Sequence, residues 1–353
     1  MEKIIAGPQG LKEADSKKAA KIISRGGIVA FPTETVYGLA ARADKKRPPD
    51  KLYSLKQRPQ NKPFSVAFAD PELAVNKCFC QLIPFGYKLI EKFWPGPLTI
   101  VYYQNQEEKI GVRIPSNTIA LQVLGKLNFP VFLPSANLSG QKEPVSAEEV
   151  EKVFQGQIDL LIDGGRTEHK KASTVVDLTC KPFKILREGA ITEDDIASVF
   201  VKKRILFVCT GNSCRSPMAE YLLREYLRKT KGVLFQRYEI ISAGISAPEG
   251  MRPTEEIREL MGKKEGIDIS DSRAAQVTKQ MVLSSDYIFT MEDFQLRYVL
   301  DQVPSARARV FNLGKVLTPS LDSIPDPIGK SFIFYQNIYD LIKKAVSELV
   351  NWL

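Results

Sequence analysis

The chain has 353 residues, 44% of them hydrophobic, and a formal net charge of +9, which allows two or three domains that each bury a core. No apolar run approaches the ~20 residues that span a membrane as a helix, and five cysteines argue for a reducing compartment rather than a disulfide framework. The basic excess is shared between 28 Lys+Arg against 23 Asp+Glu in residues 1–200 and 22 against 18 in the remainder, with no long basic tail; it fits anionic ligands such as nucleotides, phosphoproteins or RNA. The start, Met1-Glu2-Lys3-Ile4-Ile5, lacks the pattern of a secretory signal, so a cytoplasmic protein is expected.

In chain order, residues 15–25 carry a helical pattern that Gly26-Gly27 stops. A strand is predicted over 28–31, leading into Pro32-Thr33-Glu34-Thr35-Val36-Tyr37-Gly38-Leu39. Helices are predicted over 49–57, 71–79, 84–93, 117–127 and 146–155, and strands over 64–68, 98–103, 110–114, 130–133, 159–162, 173–178 and 183–187. The alternation predicts an α/β domain with an extended, open twisted sheet.

Polar and basic residues gather at the ends of these strands. Lys56, Arg58 and Lys62 lie on a proline-punctuated turn, Lys-Gln-Arg-Pro-Gln-Asn-Lys-Pro, and three cations on a rigid turn suit a polyphosphate. Arg113 stands in Val112-Arg113-Ile114-Pro115, and Ser135 and Asn137 in Pro134-Ser135-Ala136-Asn137-Leu138-Ser139-Gly140. No Walker A loop or Gly-x-Gly-x-x-Gly fingerprint is present, so any nucleotide bound here would be held without a standard phosphate loop. Cys78 and Cys80 are too few for a zinc site. His169, among Arg166, Glu168, Lys170 and Lys171, is expected in an exposed basic loop with no assigned chemistry.

Taken together and in order, these segments resemble the threonylcarbamoyl-AMP synthase family over about residues 10–200. Trp94-Pro95-Gly96-Pro97-Leu98-Thr99, Ala172-Ser173-Thr174-Val175-Val176-Asp177 and Leu186-Arg187-Glu188-Gly189-Ala190 complete the set. The resemblance implies a YrdC-like fold that turns L-threonine, bicarbonate and ATP into threonylcarbamoyl-adenylate and pyrophosphate, a product that feeds t6A modification of tRNA. By the same carry-over, Lys56, Arg58, Lys62, Ser135, Asn137 and Arg187 would hold ATP. Thr35, Arg113 and Ser173 would hold threonine, with Arg113 on its carboxylate. Catalysis would then be positioning and charge neutralisation, with no protein nucleophile. Magnesium would arrive with the nucleotide, since no dedicated metal cluster is evident.

A helical pattern from Thr192 to Phe200 leads through Val201-Lys202-Lys203 into a new strand, Arg204 to Val208. This places the expected boundary between domains 1–201 and 202–353. The strand runs straight into Cys209-Thr210-Gly211-Asn212-Ser213-Cys214-Arg215-Ser216. Ser216 is a plausible helix N-cap and Pro217 fits the first helical position. A strand, a loop of small residues and a helix start make a nest of amides that suits a phosphate-sized dianion. The same field lowers a thiol, ordinarily near ~8.5, towards roughly 3.5–7.5, so Cys209 is expected to be an attacking thiolate. Arg215 offers a rigid fork to the equatorial phosphoryl oxygens, and Gly211 is expected to admit a close backbone approach. A leaving group needs an acid, and Asp326 in Ile324-Pro325-Asp326-Pro327 is the candidate.

This half resembles a complete low-molecular-weight protein phosphatase, including Ser242-Ala243-Gly244 after a second strand. The resemblance implies a doubly wound four-stranded parallel sheet with a phosphate-binding loop and no cofactor. It implies a phosphocysteine at Cys209, with Asp326 as acid and then base, and Asn212 and Ser216 bracing the loop. Ser213 and Ile328-Gly329 stand where phosphotyrosine-directed members carry apolar walls, which tilts the expected phosphoprotein substrate towards phosphoarginine. Cys214 is either a regulatory disulfide partner of Cys209 or a small buried loop residue. The whole chain is thus expected to be a bifunctional enzyme. The alternative is an RNA-binding YrdC-like module attached to a tyrosine phosphatase or an arsenate reductase-like domain.

Overall fold

The computed structural model describes residues 1–43, 50–317 and 319–350. The chain divides into two compact units, residues 1–82 with 88–197, and 83–87 with 198–353.

In the first unit the strands are β1 (Glu2–Ile5), β2 (Val29–Pro32), β3 (Tyr37–Arg42), β4 (Val66–Ala67), β5 (Leu98–Tyr103), β6 (Lys109–Arg113), β7 (Val131–Phe132), β8 (Leu160–Asp163), β9 (Thr174–Asp177) and β10 (Lys184–Arg187). They form one mixed sheet in the order β1-β8-β2-β3-β7-β4-β6-β5-β9-β10. β5 falls on the predicted 98–103, whereas β4 and β7 shrink to two residues each. Two strands escape the sequence reading. β1 is largely exposed and pairs only with β8. β3, Tyr-Gly-Leu-Ala-Ala-Arg, has no β-branched residue and is buried on both faces, so it shows no period-two alternation.

Local chemistry sets the helix ends. Asn117 accepts from the Ala120 N–H at 3.2 Å, and the helix runs Thr118–Leu124 before stopping at Gly125, shorter than predicted. The predicted 49–57 helix is Asp50–Lys56, and its first predicted residue lies outside the described residues. One core joins Phe31 and Leu160 of the sheet to Ala19 and Ile23 of the helix Glu13–Ser24.

In the second unit β11 (Lys203–Cys209), β12 (Tyr238–Gly244), β13 (Tyr287–Thr290) and β14 (Val310–Asn312) pair in parallel throughout, in the order β12-β11-β13-β14. β11 alternates between two cores. Ile205, Phe207 and Cys209 pack with Met218 and Leu222 of the helix Arg215–Lys231 and with Tyr339 and Ile342 of the helix Phe332–Leu349. Leu206 and Val208 pack instead with Ile288 and Val299. Both faces of the strand are apolar because helices cover both, which makes this a doubly wound sheet. In such sheets the carboxyl ends of the strands, where the chain order reverses, frame the ligand crevice. The carboxyl end of β11 is Cys209.

Candidate functional sites

A cleft of about 850 Å³ opens in the first unit, within the range that holds small-molecule substrates. Its walls come from separate elements. The hairpin between β2 and β3 closes through Thr33, whose hydroxyl donates to the Val36 carbonyl at 2.7 Å. That turn fixes Glu34 and Thr35 at its tip. Arg113, the last residue of β6, donates from Nη2 to Glu34 Oε1 at 2.6 Å and to Thr35 Oγ1 at 2.9 Å, and from Nε to the Gly96 carbonyl at 3.2 Å. Glu34 is only 3% exposed, and its second oxygen accepts from the Ser116 N–H at 3.1 Å. Arg113 is therefore clamped by a buried carboxylate before any ligand arrives, while its Nη1 donates to no acceptor among the described residues.

The remaining wall of the cleft is built the same way. Arg187 at the end of β10 donates to the Ser173 carbonyl at 3.0 Å and hydroxyl at 3.1 Å, and Ser173 Oγ meets Thr99 Oγ1 at 3.0 Å. Gly189 makes that contact possible, because a Cβ there would stand 2.1 Å from the Ala172 carbonyl oxygen. Lys56 ends the helix Asp50–Lys56 and is buried; its ammonium donates to the Ser135 carbonyl at 2.5 Å and to the Asn137 carbonyl and side-chain oxygen at 2.8 and 3.1 Å. Burial, and then the charge of Arg58, push Lys56 down to about 8, while three acceptors around one Nζ require the ammonium form. Arg58 is held by the carbonyls of Lys62 and Pro63 at 3.0 and 2.9 Å. Burial lowers both Arg58 and Arg187, so this wall presents crowded, partly desolvated positive charge.

The second site is a single loop. Cys209 Sγ lies 3.0 Å from Ser216 Oγ and accepts the Asn212 N–H at 3.2 Å. Asn212 adopts φ +52°, a left-handed conformation that turns the loop back over the sulfur. The amides of Gly211, Ser213 and Cys214 find no acceptor among the described residues. Arg215 is 1% exposed; Nη1 donates to Glu292 at 2.5 Å and to the Ile324 carbonyl at 3.0 Å, and Nη2 contacts Asp326. Its Nε is buried without any acceptor. Free amides and an orphaned guanidinium N–H around one sulfur are what a phosphate-sized anion satisfies.

Two details of the loop differ from the sequence reading. The helix begins at Arg215 with Cys214 as its N-cap, so Ser216 and Pro217 are the second and third helical residues. Ser216 turns inward to the sulfur instead of capping. A Cβ at Gly211 would meet only Ser213 Oγ at 3.4 Å, whereas at Gly244 it would stand 2.5 Å from the Thr210 carbonyl and 2.8 Å from the Asn212 nitrogen, so it is Gly244 that lets β12 pack against the loop. Cys209 and Cys214 are both free thiols, and burial pushes Cys214 up to about 11.

Comparison with known proteins fits both geometries. Residues 21–189 match the Sua5–YciO–YrdC family, described as "Telomere recombination". A putative threonylcarbamoyl-AMP synthase of Methanocaldococcus jannaschii is 30% identical over 198 residues, 53% of this chain and 93% of that protein. The chain belongs to the threonylcarbamoyl-AMP synthase family. The threonylcarbamoyl-AMP synthase of Pyrococcus abyssi is 36% identical over 213 residues, 58% of this chain, but the match spans only 62% of that longer relative. The crystal structure of P. abyssi Sua5 complexed with L-threonine shares the fold, with a TM-score of 0.53 at 23% identity, covering 88% of this chain and 98% of that one. Residues 204–353 match the low molecular weight phosphotyrosine protein phosphatase family, so the synthase-family segment is followed by a phosphatase domain.

Within the synthase-family segment, Lys56, Arg58, Lys62, Ser135, Asn137, Arg113, Ser173 and Arg187 all line the one cleft. Thr35 lies behind Arg113, fully buried. His169 is exposed, and its backbone N–H donates to the Glu34 carbonyl at 2.8 Å. Sequence reasoning missed Glu34, although it sits inside a quoted motif; a carboxylate two strand-ends from an arginine gives no linear signal. In the phosphatase domain it missed Glu292 and Gln295, whose side chains reach Arg215 and Thr210 from the start of the helix Asp293–Gln302. No group of three metal-ligating side chains occurs among the described residues, and no described helix is long and apolar enough to cross a membrane.

Proposed function

We propose that the first unit condenses L-threonine, bicarbonate and ATP into threonylcarbamoyl-adenylate for t6A modification of tRNA, and that the second is a cysteine-dependent protein phosphatase. The observation that carries the first part is the anchored cationic cleft, which holds cations and hydroxyls but no paired nucleophile and base. Threonine's amine captures CO2 as a carbamate, a carbamate oxygen attacks the α-phosphorus, and pyrophosphate leaves. Arg58, Lys62 and Arg187 face the triphosphate, with Ser135 and Asn137 beside them. The free Nη1 of Arg113 takes the threonine carboxylate, with Thr35 and Ser173 completing that subsite. Magnesium fits as a passenger of the nucleotide, with Glu143 the cleft carboxylate open to it; it would neutralise phosphate charge. Bicarbonate-dependent release of pyrophosphate, requiring both threonine and ATP, tests this reading, and its absence overturns it. A soluble cytoplasmic enzyme whose product is passed on to tRNA-modifying partners fits the same chemistry.

In the second unit, Cys209 attacks phosphorus, Asp326 protonates the leaving group, and a phosphocysteine forms. Asp326 then takes a proton from water, whose oxygen attacks the phosphocysteine and regenerates the sulfur with release of phosphate. Arg215 Nε and the loop amides hold the equatorial oxygens. The phosphoryl group replaces Asp326 on Arg215, which frees the carboxyl for the leaving group. Ser213 and the exposed Ile328 with Gly329 leave the pocket short of apolar walls, so phosphoarginine is favoured over phosphotyrosine. Side-by-side turnover of phosphoarginine and phosphotyrosine peptides decides between them, and faster phosphotyrosine turnover reverses the preference.

A further inference from the structure

The mouth of the second site is bordered by apolar side chains that the phosphoryl chemistry leaves unused. Twelve large apolar side chains are exposed among the described residues. Five of them, Met251, Phe294, Ile328, Phe332 and Ile333, lie on or directly after three short segments that touch the Cys209–Ser216 loop. Single exposed apolar residues are ordinary, but a cluster around one opening marks a binding surface. The underside of the loop is closed, since the Asn212 amide gives its two hydrogens to Ser216 Oγ and Ser242 Oγ, each at 2.9 Å. Recognition beyond the phosphoryl group therefore takes place at the mouth.

Topology puts Met251 and Phe294 on opposite sides of the opening. β12 and β13 are the two neighbours of β11, and each runs past its carboxyl end into one border. Beyond β12, the Ser246 N–H donates to the Thr210 carbonyl at 2.9 Å and the Thr254 N–H to the Ser213 carbonyl at 3.1 Å. The stretch that holds Met251 is thus tied to the loop at both ends. Beyond β13, Phe294 sits between Glu292, which meets Arg215, and Gln295, whose Nε2 donates to Thr210 Oγ1 at 3.1 Å. Both backbones are fixed: the Met251 carbonyl accepts the Ala274 N–H at 2.8 Å, and Phe294 lies in the first turn of a helix closed by the Glu292–Gln295 capping box. Their side chains nonetheless stand in water, Met251 53% and Phe294 43% exposed. Ile328, whose N–H donates to Asp326 Oδ1 at 3.2 Å, stands beside the acid on the third border.

We propose that this mouth docks an extended segment of a phosphoprotein in which apolar residues flank the phosphorylated one, Met251 taking one flank and Phe294 the other. The role rests on the phosphatase reading of the loop. Neighbouring strands lie ~4.8 Å apart, so β12 and β13 set the two borders about 10 Å from each other. An extended chain advances ~3.3 Å per residue, so a peptide whose phosphorylated side chain enters the loop lays residues one or two places away on each border. A free phosphorylated amino acid reaches neither border, and a second copy seated there would close the opening that water needs. Methionine adapts to apolar partners of different shape, so the borders select apolar character and not one sequence.

The test compares kcat/KM of the full chain for paired synthetic phosphopeptides of equal length. One of each pair carries leucine and the other serine at the two positions on each side of the phosphorylated residue, and pairs are made with phosphoarginine and with phosphotyrosine. Burying about 40 Å² of apolar surface on each border is worth about fivefold, so leucine flanks should raise kcat/KM about 25-fold, mostly through KM. Met251→Ser and Phe294→Ser should each lower that preference about fivefold and together remove it. Turnover of p-nitrophenyl phosphate, which reaches neither border, should be unchanged in both. Equal turnover of leucine and serine peptides by the wild-type chain overturns the proposal, as does a preference that survives in the double variant. A double variant that loses p-nitrophenyl phosphate turnover in step also overturns it, because the two residues would then hold the loop and not the peptide. So does a wild-type dimer in sedimentation that the double variant breaks, which would make a second copy the occupant. Should the wild-type chain hydrolyse none of these substrates, yet bind the leucine phosphopeptides more tightly than the serine ones by calorimetry, the assigned reaction falls and the docking surface stands.

Discussion

The two sites assemble their donors by opposite means. The cleft of the first unit draws its cations from a hairpin-braced strand end, a second strand end, a helix end and a proline-rich turn, up to 131 positions apart between Lys56 and Arg187. The loop of the second unit needs eight consecutive residues, 209–216, and most of its donors are backbone amides. Side chains that neutralise charge must each be anchored separately, so buried partners such as Glu34 and Ser173 accumulate behind them. Amides come anchored by the chain itself, so the loop needs only a few braces, Asn212, Ser242 and Gly244. A nucleophile belongs to the second design because one sulfur can be held at the focus of one turn.

If this contrast is right, the sites fail independently and by different amounts. Cys209→Ser should reduce phosphatase turnover by about 10⁴-fold or more, since a serine hydroxyl there has no base to activate it. Threonine-dependent pyrophosphate release should be unchanged in the same protein. A parallel loss of both activities would break the comparison.

Arg113→Ala sharpens it from the other side. A charge-assisted hydrogen bond to a carboxylate contributes about 1.5–3 kcal/mol, so kcat/KM for threonine should fall roughly 10- to 150-fold while ATP affinity moves little. The variant also strands Glu34, buried with only the Ser116 N–H left from its pair of partners. Glu34→Gln/Arg113→Ala should then recover thermal stability without recovering threonine turnover. If the double variant is no more stable than Arg113→Ala, Glu34 is not the charge that clamps Arg113.

Lys56 gives a smaller, pH-dependent effect. Its folded pKa is depressed to about 8 from the ordinary 10.5, so its charge is present below that value and lost as pH rises through it. A triphosphate favours the charged amine, so binding takes up a proton and weakens as pH climbs. ATP affinity should fall about tenfold between pH 7 and pH 9.5 by calorimetry, and Lys56→Met should flatten that dependence. A wild-type profile that stays flat would mean Lys56 never loses its proton among the Ser135 and Asn137 oxygens.

How far the sequence carried follows from the same contrast. The Cys209–Ser216 loop was legible because all its parts are neighbours in the chain, and β11 announced itself by Ile-Leu-Phe-Val. The cleft was legible only through several motifs in register, each too weak alone. β3 was illegible because burial on both faces erases alternation, and Tyr-Gly-Leu-Ala-Ala has no β-branched residue and, after its tyrosine, little strand preference. Glu34, Glu292 and Gln295 were illegible for another reason. A brace is defined by what it touches, and Glu292 reaches Arg215 across 77 positions. Ser216 was misplaced as a cap because serine before proline is a helix-start signal, and only the sulfur at 3.0 Å shows where its hydroxyl goes.

The smallest expected effect concerns what the loop recognises beyond phosphate. Ser213 is 9% exposed, with its carbonyl accepting the Thr254 N–H at 3.1 Å and its hydroxyl 3.8 Å from Cys214. The backbone there is pinned, so a substitution changes the pocket wall and not the loop. Ser213→Ile adds apolar surface that a phenyl ring can bury and a guanidinium cannot, which at ~25 cal/mol per Å² is about 1 kcal/mol for some 40 Å² of contact. The ratio of phosphotyrosine to phosphoarginine turnover should therefore rise about fivefold, with p-nitrophenyl phosphate following phosphotyrosine. The direction discriminates more than the size. A general loss would mean that isoleucine disturbs the amides beneath it, whereas a rise for the aryl substrate alone would separate recognition, which sits in side chains at the rim, from the phosphoryl grip, which sits in the backbone.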